Sequence, residues 1–225
     1  MGQTVVVPPG DGPRGRPLLV FLHGRGGDED SNLDDEMFSA LRSLGANAPV
    51  VLFPSGSEHS YWHDRRDGAW GRYVTAEAIP QAQKRFHTDP RRVAISGMSM
   101  GGFGAYDLAL RASRRYCAVG GHSPALWRTA GETAPGAFDD AQDFARNDVI
   151  ATARSQPRRL AGRPLWLDAG LSDPFDPGDR AFVEALRAAG VPIEVHRWPG
   201  GHDRSYWHRH WADYLRFYAR ALARC

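Results

Sequence analysis

The feature that most narrows what this chain can become is the run Gly97-Met98-Ser99-Met100-Gly101. It fits the pattern G-x-S-x-G, and its surroundings give the pattern meaning. Val93-Ala94-Ile95-Ser96 reads as a buried strand ahead of it, and Phe103 to Arg111 reads as a helix behind it. A strand that turns into a helix this tightly has no room for side chains two positions either side of the turn, so glycine is needed at both. The serine hydroxyl then stands clear of the sheet, and the first amides of the helix point at the same spot.

Such an elbow presupposes strands joined through helices, and the rest of the chain agrees. Short apolar runs alternate with longer amphipathic stretches, which predicts βα units on a largely parallel sheet. Strands are expected at 18–22, 49–53, 93–96, 116–121, 165–169 and 193–198. Helices are expected at 33–44, at 75–86 with Pro80 in its early turns, at 103–111, at 180–189 closed by Gly190, and at 206–222. The stripe Trp207, Trp211, Tyr214, Leu215, Tyr218 and Leu222 on the last helix reads as core packing. Between 123 and 162 the periodicity weakens over a stretch too long for a simple connection, so it reads as a partly helical cap or excursion. The expectation is a single α/β domain over 1–225, a compact α/β-hydrolase fold with a mostly parallel central sheet flanked by helices and a small cap excursion.

Composition supports a packed enzyme-sized domain and excludes other classes. Hydrophobic residues make up 42% of the chain, enough for a buried core. The 28 Lys and Arg nearly balance the 26 Asp and Glu and are scattered, which is no footprint for nucleic acid. No apolar run reaches the length of a membrane span. The N-terminus lacks a basic region followed by an apolar one, so the chain reads as soluble and cytoplasmic. Cys117 lies in the apolar run Tyr116-Cys117-Ala118-Val119 and reads as a buried thiol. Cys225 ends the chain, and whether the two pair is open.

A nucleophilic serine needs a base and an acid, in the chain order Ser…Asp…His for this fold. His202, in Trp198-Pro199-Gly200-Gly201-His202-Asp203, lies between the last strand and the last helix, where the base belongs. His196 falls within the strand, and His208 and His210 fall on the helix. Asp173 follows the preceding strand in Gly170-Leu171-Ser172-Asp173-Pro174 and is the expected acid. Asp168 is still inside that strand, and Asp176 and Asp179 lie further on. The oxyanion donors are expected to be the backbone N–H of Met100 and that of Arg25, in His23-Gly24-Arg25-Gly26-Gly27. Trp62, Phe103, Trp127 and Trp207 are candidate pocket walls. His122 is a further candidate, because its strand should neighbour the elbow strand. A rival reading is a metal-binding module using His202, Asp203, His208 and His210, but His208 and His210 project to different sides of a helix. A second rival is a binding protein without catalysis, against which the complete Ser, His and Asp set stands.

With these residues in hand, the chain resembles the putative-esterase family, which includes esterase D-type enzymes, feruloyl-esterase-like proteins and the mycolyltransferases of mycobacterial cell walls. The resemblance runs from about Pro17 to Ala221. It rests on Leu22-His23-Gly24 with Gly26-Gly27, Ser60-Tyr61-Trp62, Gly97-Met98-Ser99-Met100-Gly101-Gly102, His122-Ser123, and Gly201-His202-Asp203 with Tyr206-Trp207. It implies hydrolysis of a small-molecule acyl ester through a serine acyl-enzyme, or acyl transfer to a sugar or other alcohol, with no metal or organic cofactor. Members usually carry a longer N-terminal region, so fewer leading strands are expected here.

Overall fold

The central strands are apolar on both faces, and the architecture follows from covering both. The computed structural model describes residues 2–10, 14–112 and 114–225. Its strands are β1 (Gln3–Val6), β2 (Leu18–Leu22), β3 (Val50–Pro54), β4 (Asp64–Arg65), β5 (Gly68–Ala69), β6 (Val93–Met98), β7 (Ala118–His122), β8 (Leu165–Gly170) and β9 (Glu194–Trp198). Its helices are α1 (Asp35–Ser43), α2 (Trp70–Arg72), α3 (Ile79–Phe86), α4 (Met100–Arg111), α5 (Ala141–Arg146), α6 (Val149–Ser155), α7 (Asp176–Ala188) and α8 (Arg204–Leu222). β4 and β5 form a small hairpin, and the other strands make one sheet in the order β1-β3-β2-β6-β7-β8-β9. Among the described residues of this larger sheet, β1 pairs antiparallel with β3 and the other neighbours pair parallel.

β2, β3, β6, β7 and β8 are buried along their whole length, as parallel strands covered on two sides must be. Leu18, Val20, Leu22, Ile95 and Leu167 pack on one side with α3, α4, α6 and α7. Leu19, Phe21, Ala94, Met98 and Trp166 pack on the other with α1 and α8. The loops at the C-terminal ends of β2, β6, β8 and β9 therefore gather at one edge, the side where parallel sheets bind ligands.

The structure departs from the sequence reading in three places and gives detail to a fourth, the partly helical stretch between β7 and β8. β1 pairs Val5 with Leu52 and supplies one leading strand that no local signal announced. The helical run before β6 starts at Trp70 and passes through a π-helical turn over Tyr73–Ala78 before Pro80. Pro80 has no N–H to give to the preceding turn, and the wider turn accommodates that loss. Between β7 and β8 the chain forms α5, α6 and two short 3₁₀ turns, and α6 packs against α4 and α7. Finally, Cys117 is no free buried thiol: it is half-buried and bonded to Cys225, with Cα atoms 6.0 Å apart. The reason is geometric. α8 starts at the C-terminal edge of the sheet and runs back for 19 residues, about 28 Å, which returns the chain end to the N-terminal edge where β7 begins.

Candidate active site

Loops after β6, β8 and β9 carry Ser99, Asp173 and His202 to one place. His202 Nε2 lies 2.8 Å from Ser99 Oγ, and His202 Nδ1 lies 2.9 Å from Asp173 Oδ2. Ser99 caps α4 with φ +52° and ψ −113°, a conformation that a serine holds only under constraint. The constraint is visible. Its N–H donates to the His122 carbonyl at 2.9 Å, and its own carbonyl accepts from Phe103 and Ala125 at 3.1 and 3.0 Å. The glycines are sterically required: a Cβ on Gly101 would sit 2.0 Å from the Leu22 carbonyl oxygen, and one on Gly97 would sit 2.4 Å from the Gly101 carbonyl carbon. Tyr61, Trp62 and Ser123 also have positive φ, so backbone strain concentrates around this edge.

The acid is enclosed and the base is reachable. The Asp173 side chain is fully buried while 19% of the His202 side chain is exposed. Burial would raise the Asp173 carboxyl, but the hydrogen bond and charge of His202, the Phe175 N–H and the Ser123 hydroxyl outweigh it and hold the group below the ordinary carboxylate range. The other aspartates have separate employment. Asp203 caps α8 through Tyr206 N–H at 3.0 Å, and Asp176 takes Arg180 and Arg197, both at 2.6 Å. Asp179 is buried, and burial first, then the charge of Asp173, pushes its carboxyl well above the ordinary value.

The loop after β2 lies against the nucleophile: a Cβ on Gly24 would be 3.5 Å from Ser99 Cβ. Arg25, next in the loop, is exposed, and its guanidinium approaches the Tyr61 hydroxyl. Met100 is the first residue of α4, so its N–H has no partner within the helix. His23 is a support that the sequence reading passed over. Its Nδ1–H donates to the Gly24 carbonyl at 2.8 Å, and its Nε2 accepts from Gly56 N–H at 2.9 Å. Burial lowers its pKa, which keeps the imidazole neutral, as the accepted bond from Gly56 requires.

Among the expected pocket walls, two are corrected. Trp62 is fully buried, and its Nε1–H donates to the His23 carbonyl at 3.1 Å, so it braces the β2 loop from behind. His122 is fully buried as well and is bonded to Asp168 at 2.6 Å, beneath the sheet edge and out of reach of a ligand. Phe103 and Trp127 are nearly buried members of an aromatic cluster with Tyr61 and Phe138. Trp127 reaches Phe175 at 5.6 Å between ring centroids, and Phe175 reaches His202 at 4.9 Å. Trp207 stands edge-on to the other side of His202 at 5.1 Å. Phe175 was missed because nothing in its spacing marks it, apart from its place two residues after Asp173. A cavity of about 400 Å³ opens beside it, lined by Leu126, Trp127, Arg128, Pro174 and Phe175 among others.

The residues of the metal reading do not converge. His202 is taken by Ser99 and Asp173, Asp203 is a helix cap, His208 pairs with Asp34 at 3.0 Å, and His210 stacks on Trp198 at 4.0 Å.

Comparison with known proteins finds esterases and serine hydrolases among those similar to this chain. Esterase Rv1288 of Mycobacterium tuberculosis is 29% identical over 241 residues, covering 89% of this chain and 52% of its own length. The chain thus spans about half the length of the curated relatives it matches. A ferulic acid esterase structure superposes with TM-score 0.83 at 23% identity, covering 97% of this chain and 92% of that one. FphF, a fluorophosphonate-binding serine hydrolase of Staphylococcus aureus, superposes with TM-score 0.81 at 19% identity, covering 96% and 91%. These two show the α/β-hydrolase fold. The family model described as "Putative esterase" matches residues 1–218, and the chain belongs to that family.

Proposed function

We propose that this protein is a serine esterase that hydrolyses small carboxylic esters through Ser99, His202 and Asp173. The observation that carries the reading is the unbroken hydrogen-bond chain from Asp173 through His202 to Ser99, at 2.9 and 2.8 Å, on a strained elbow. Asp173 accepts the Nδ1–H of His202, which leaves Nε2 free to take the serine proton. Ser99 Oγ attacks the ester carbonyl carbon. The N–H groups of Met100 and Arg25 receive the negative charge on the oxygen, a contribution of roughly 10²–10³ in rate for each donor. The alcohol leaves with the proton from His202. A water, deprotonated by the same imidazole, attacks the acyl-enzyme and frees the acid and the serine.

Phe103, Trp127, Phe175 and Trp207 form the apolar surroundings in which an acyl or alcohol group would rest. Hydrolysis is favoured over acyl transfer because the named relatives are esterases and hydrolases. Among the described residues no helix is long and apolar enough to cross a membrane. The Cys117–Cys225 bond supports an oxidising compartment rather than the cytoplasm expected from the sequence, because such bonds persist where thiols are not kept reduced.

The test is a fluorophosphonate probe followed by peptide mass analysis, with turnover of a panel of aryl and alkyl esters. One label on Ser99 and loss of label and turnover in Ser99→Ala are expected. Labelling elsewhere, or native turnover in Ser99→Ala, would sink the assignment.

A further inference from the structure

Behind the proposed triad lies a second chain of the same three residue types. Ser96 Oγ is 3.0 Å from His122 Nε2, and His122 Nδ1 is 2.6 Å from Asp168 Oδ1. All three residues are fully buried. Strand register explains the arrangement. Met98, His122 and Asp168 are aligned partners across β6, β7 and β8, and Ser96 lies two residues before Met98 on the same face. Their side chains leave the sheet toward α8.

Asp168 is held by four side-chain donors. Oδ1 accepts from Trp166 Nε1–H at 2.6 Å as well as from His122, and Oδ2 accepts from the hydroxyls of Tyr206 and Tyr214 at 2.9 and 3.0 Å. Burial, and then the charge of Asp168, pushes both tyrosine hydroxyls far above their ordinary value, so they remain donors. A buried carboxyl is costly unless its oxygens are hydrogen-bonded, and here both oxygens are. Four donors converging on one buried carboxyl point to a geometric task.

The attachments show what the task is. The His122 carbonyl accepts the Ser99 N–H at 2.9 Å, and the Asp168 carbonyl accepts the Ser123 N–H at 2.7 Å. Tyr206 lies in the first turn of α8, four residues after His202, and its ring packs on the loop itself: a Cβ on Gly200 would be 2.7 Å from Tyr206 Cδ2. The end of β8 touches the same loop, since a Cβ on Gly170 would be 2.4 Å from the Gly200 carbonyl oxygen. One carboxylate therefore grips both the residue that anchors the nucleophile's backbone and the helix turn that follows the base.

We propose that Asp168 is a positioning residue, which acts through His122 and Tyr206 to hold the Ser99 elbow and the His202 loop at the separation that proton transfer requires. This rests on the Ser99–His202–Asp173 reading above. Tyr206→Phe and Tyr214→Phe provide the test. Each removes one hydroxyl from the same carboxylate oxygen, but only Tyr206 adjoins the base loop. Tyr206→Phe is expected to lower kcat roughly tenfold with KM changed by less than about twofold, as a small misplacement of a catalytic group would. Tyr214→Phe should lower the thermal midpoint to a similar degree and leave kcat within about twofold of native. Equal effects of the two on kcat, or a larger effect of Tyr214→Phe, overturn the proposal. Asp168→Asn keeps the shape and removes the charge, and a larger loss of kcat is expected. Native kcat in a folded Asp168→Asn also overturns the proposal, and if that variant does not fold the tyrosine pair decides. Turnover and Ser99 labelling of the native protein are measured first. Their absence overturns the esterase reading and this one together, whereas equal tyrosine variants of an active protein overturn this one alone.

Discussion

Among the described residues, two Ser–His–Asp hydrogen-bond chains lie at one edge of one sheet. In Ser99–His202–Asp173 the distances are 2.8 and 2.9 Å, and in Ser96–His122–Asp168 they are 3.0 and 2.6 Å. Distance does not separate them. Access does: Ser99 is 8% exposed at a strained turn, whereas Ser96 is 0% exposed in a regular strand with the Tyr218 hydroxyl 2.6 Å away. The first set sits on loops, beside the loop after β2 and the N-terminus of α4, whose first amide has no partner within the helix. The second sits inside strands, whose amides are committed to the sheet. A serine, a histidine and an aspartate in line are therefore not a catalytic site until an oxyanion has donors and a substrate has a way in.

The largest effect should separate the two serines. Ser99→Ala should lower kcat by roughly 10⁴ to 10⁶, whereas Ser96→Ala, which removes a buried hydrogen bond, should stay within about tenfold of native turnover. Steady-state assays on one ester, with a folding check on each variant, decide this. The contrast breaks if Ser96→Ala is as damaging as Ser99→Ala.

The acids come next. Asp173→Asn should keep the fold and lower kcat by roughly 10⁴, because the amide favours the wrong imidazole tautomer. Asp176→Asn, Asp179→Asn and Asp203→Asn should keep most activity. If one of these three matched the loss while Asp173→Asn kept near-native turnover, the acid has been misassigned.

The far end of β7 gives a third comparison. The Cys117–Cys225 bond closes a long loop next to where β7 starts, while His122 lies at its other end. Replacing both cysteines by serine should lower the unfolding free energy by roughly 2–5 kcal/mol. Turnover well below the melting temperature should not change. A fall in kcat would mean that the packing around His122 depends on the staple.

The smallest effect concerns the glycine loop, which the buried set lacks. His23 is held neutral with a pKa below the ordinary 6.5. The unfolded chain then binds a proton more readily than the folded one, so stability is complete above pH 6.5 and declines as pH falls toward the depressed value. Urea unfolding at several pH values should show a stability slope below about pH 6.5 that is reduced in His23→Asn. An identical slope in both proteins would place the titrating group elsewhere.

What the sequence by itself determined is what short segments determine. Gly97 to Gly101 sets the turn that exposes Ser99, because the clash between Gly97 and Gly101 is local to a strand entering a helix, while the approach of Leu22 comes from the neighbouring β2. The apolar run Leu18–Leu22 stops at a glycine loop, and Gly200 and Gly201 stop the last strand just before His202, so the position of the histidine is legible from its neighbours. Asp173 follows from chain order in the same way.

Tertiary structure alone decided the rest, because those features depend on which residues meet across elements. β1 is defined by pairing with β3, 45 or more positions along, and its short run carries little signal of its own. Trp62 looked like a pocket wall by type and turned out to be a brace, since only the fold puts its indole N–H against the His23 carbonyl. His122 and Asp168 meet because of register between β7 and β8, and a slip of one residue between the strands would leave the two side chains on opposite faces. Cys117 and Cys225 meet because α8 happens to be long enough to return across the sheet. Local sequence specifies conformation; the meeting of distant side chains is specified by strand register and helix length, which no window of residues contains.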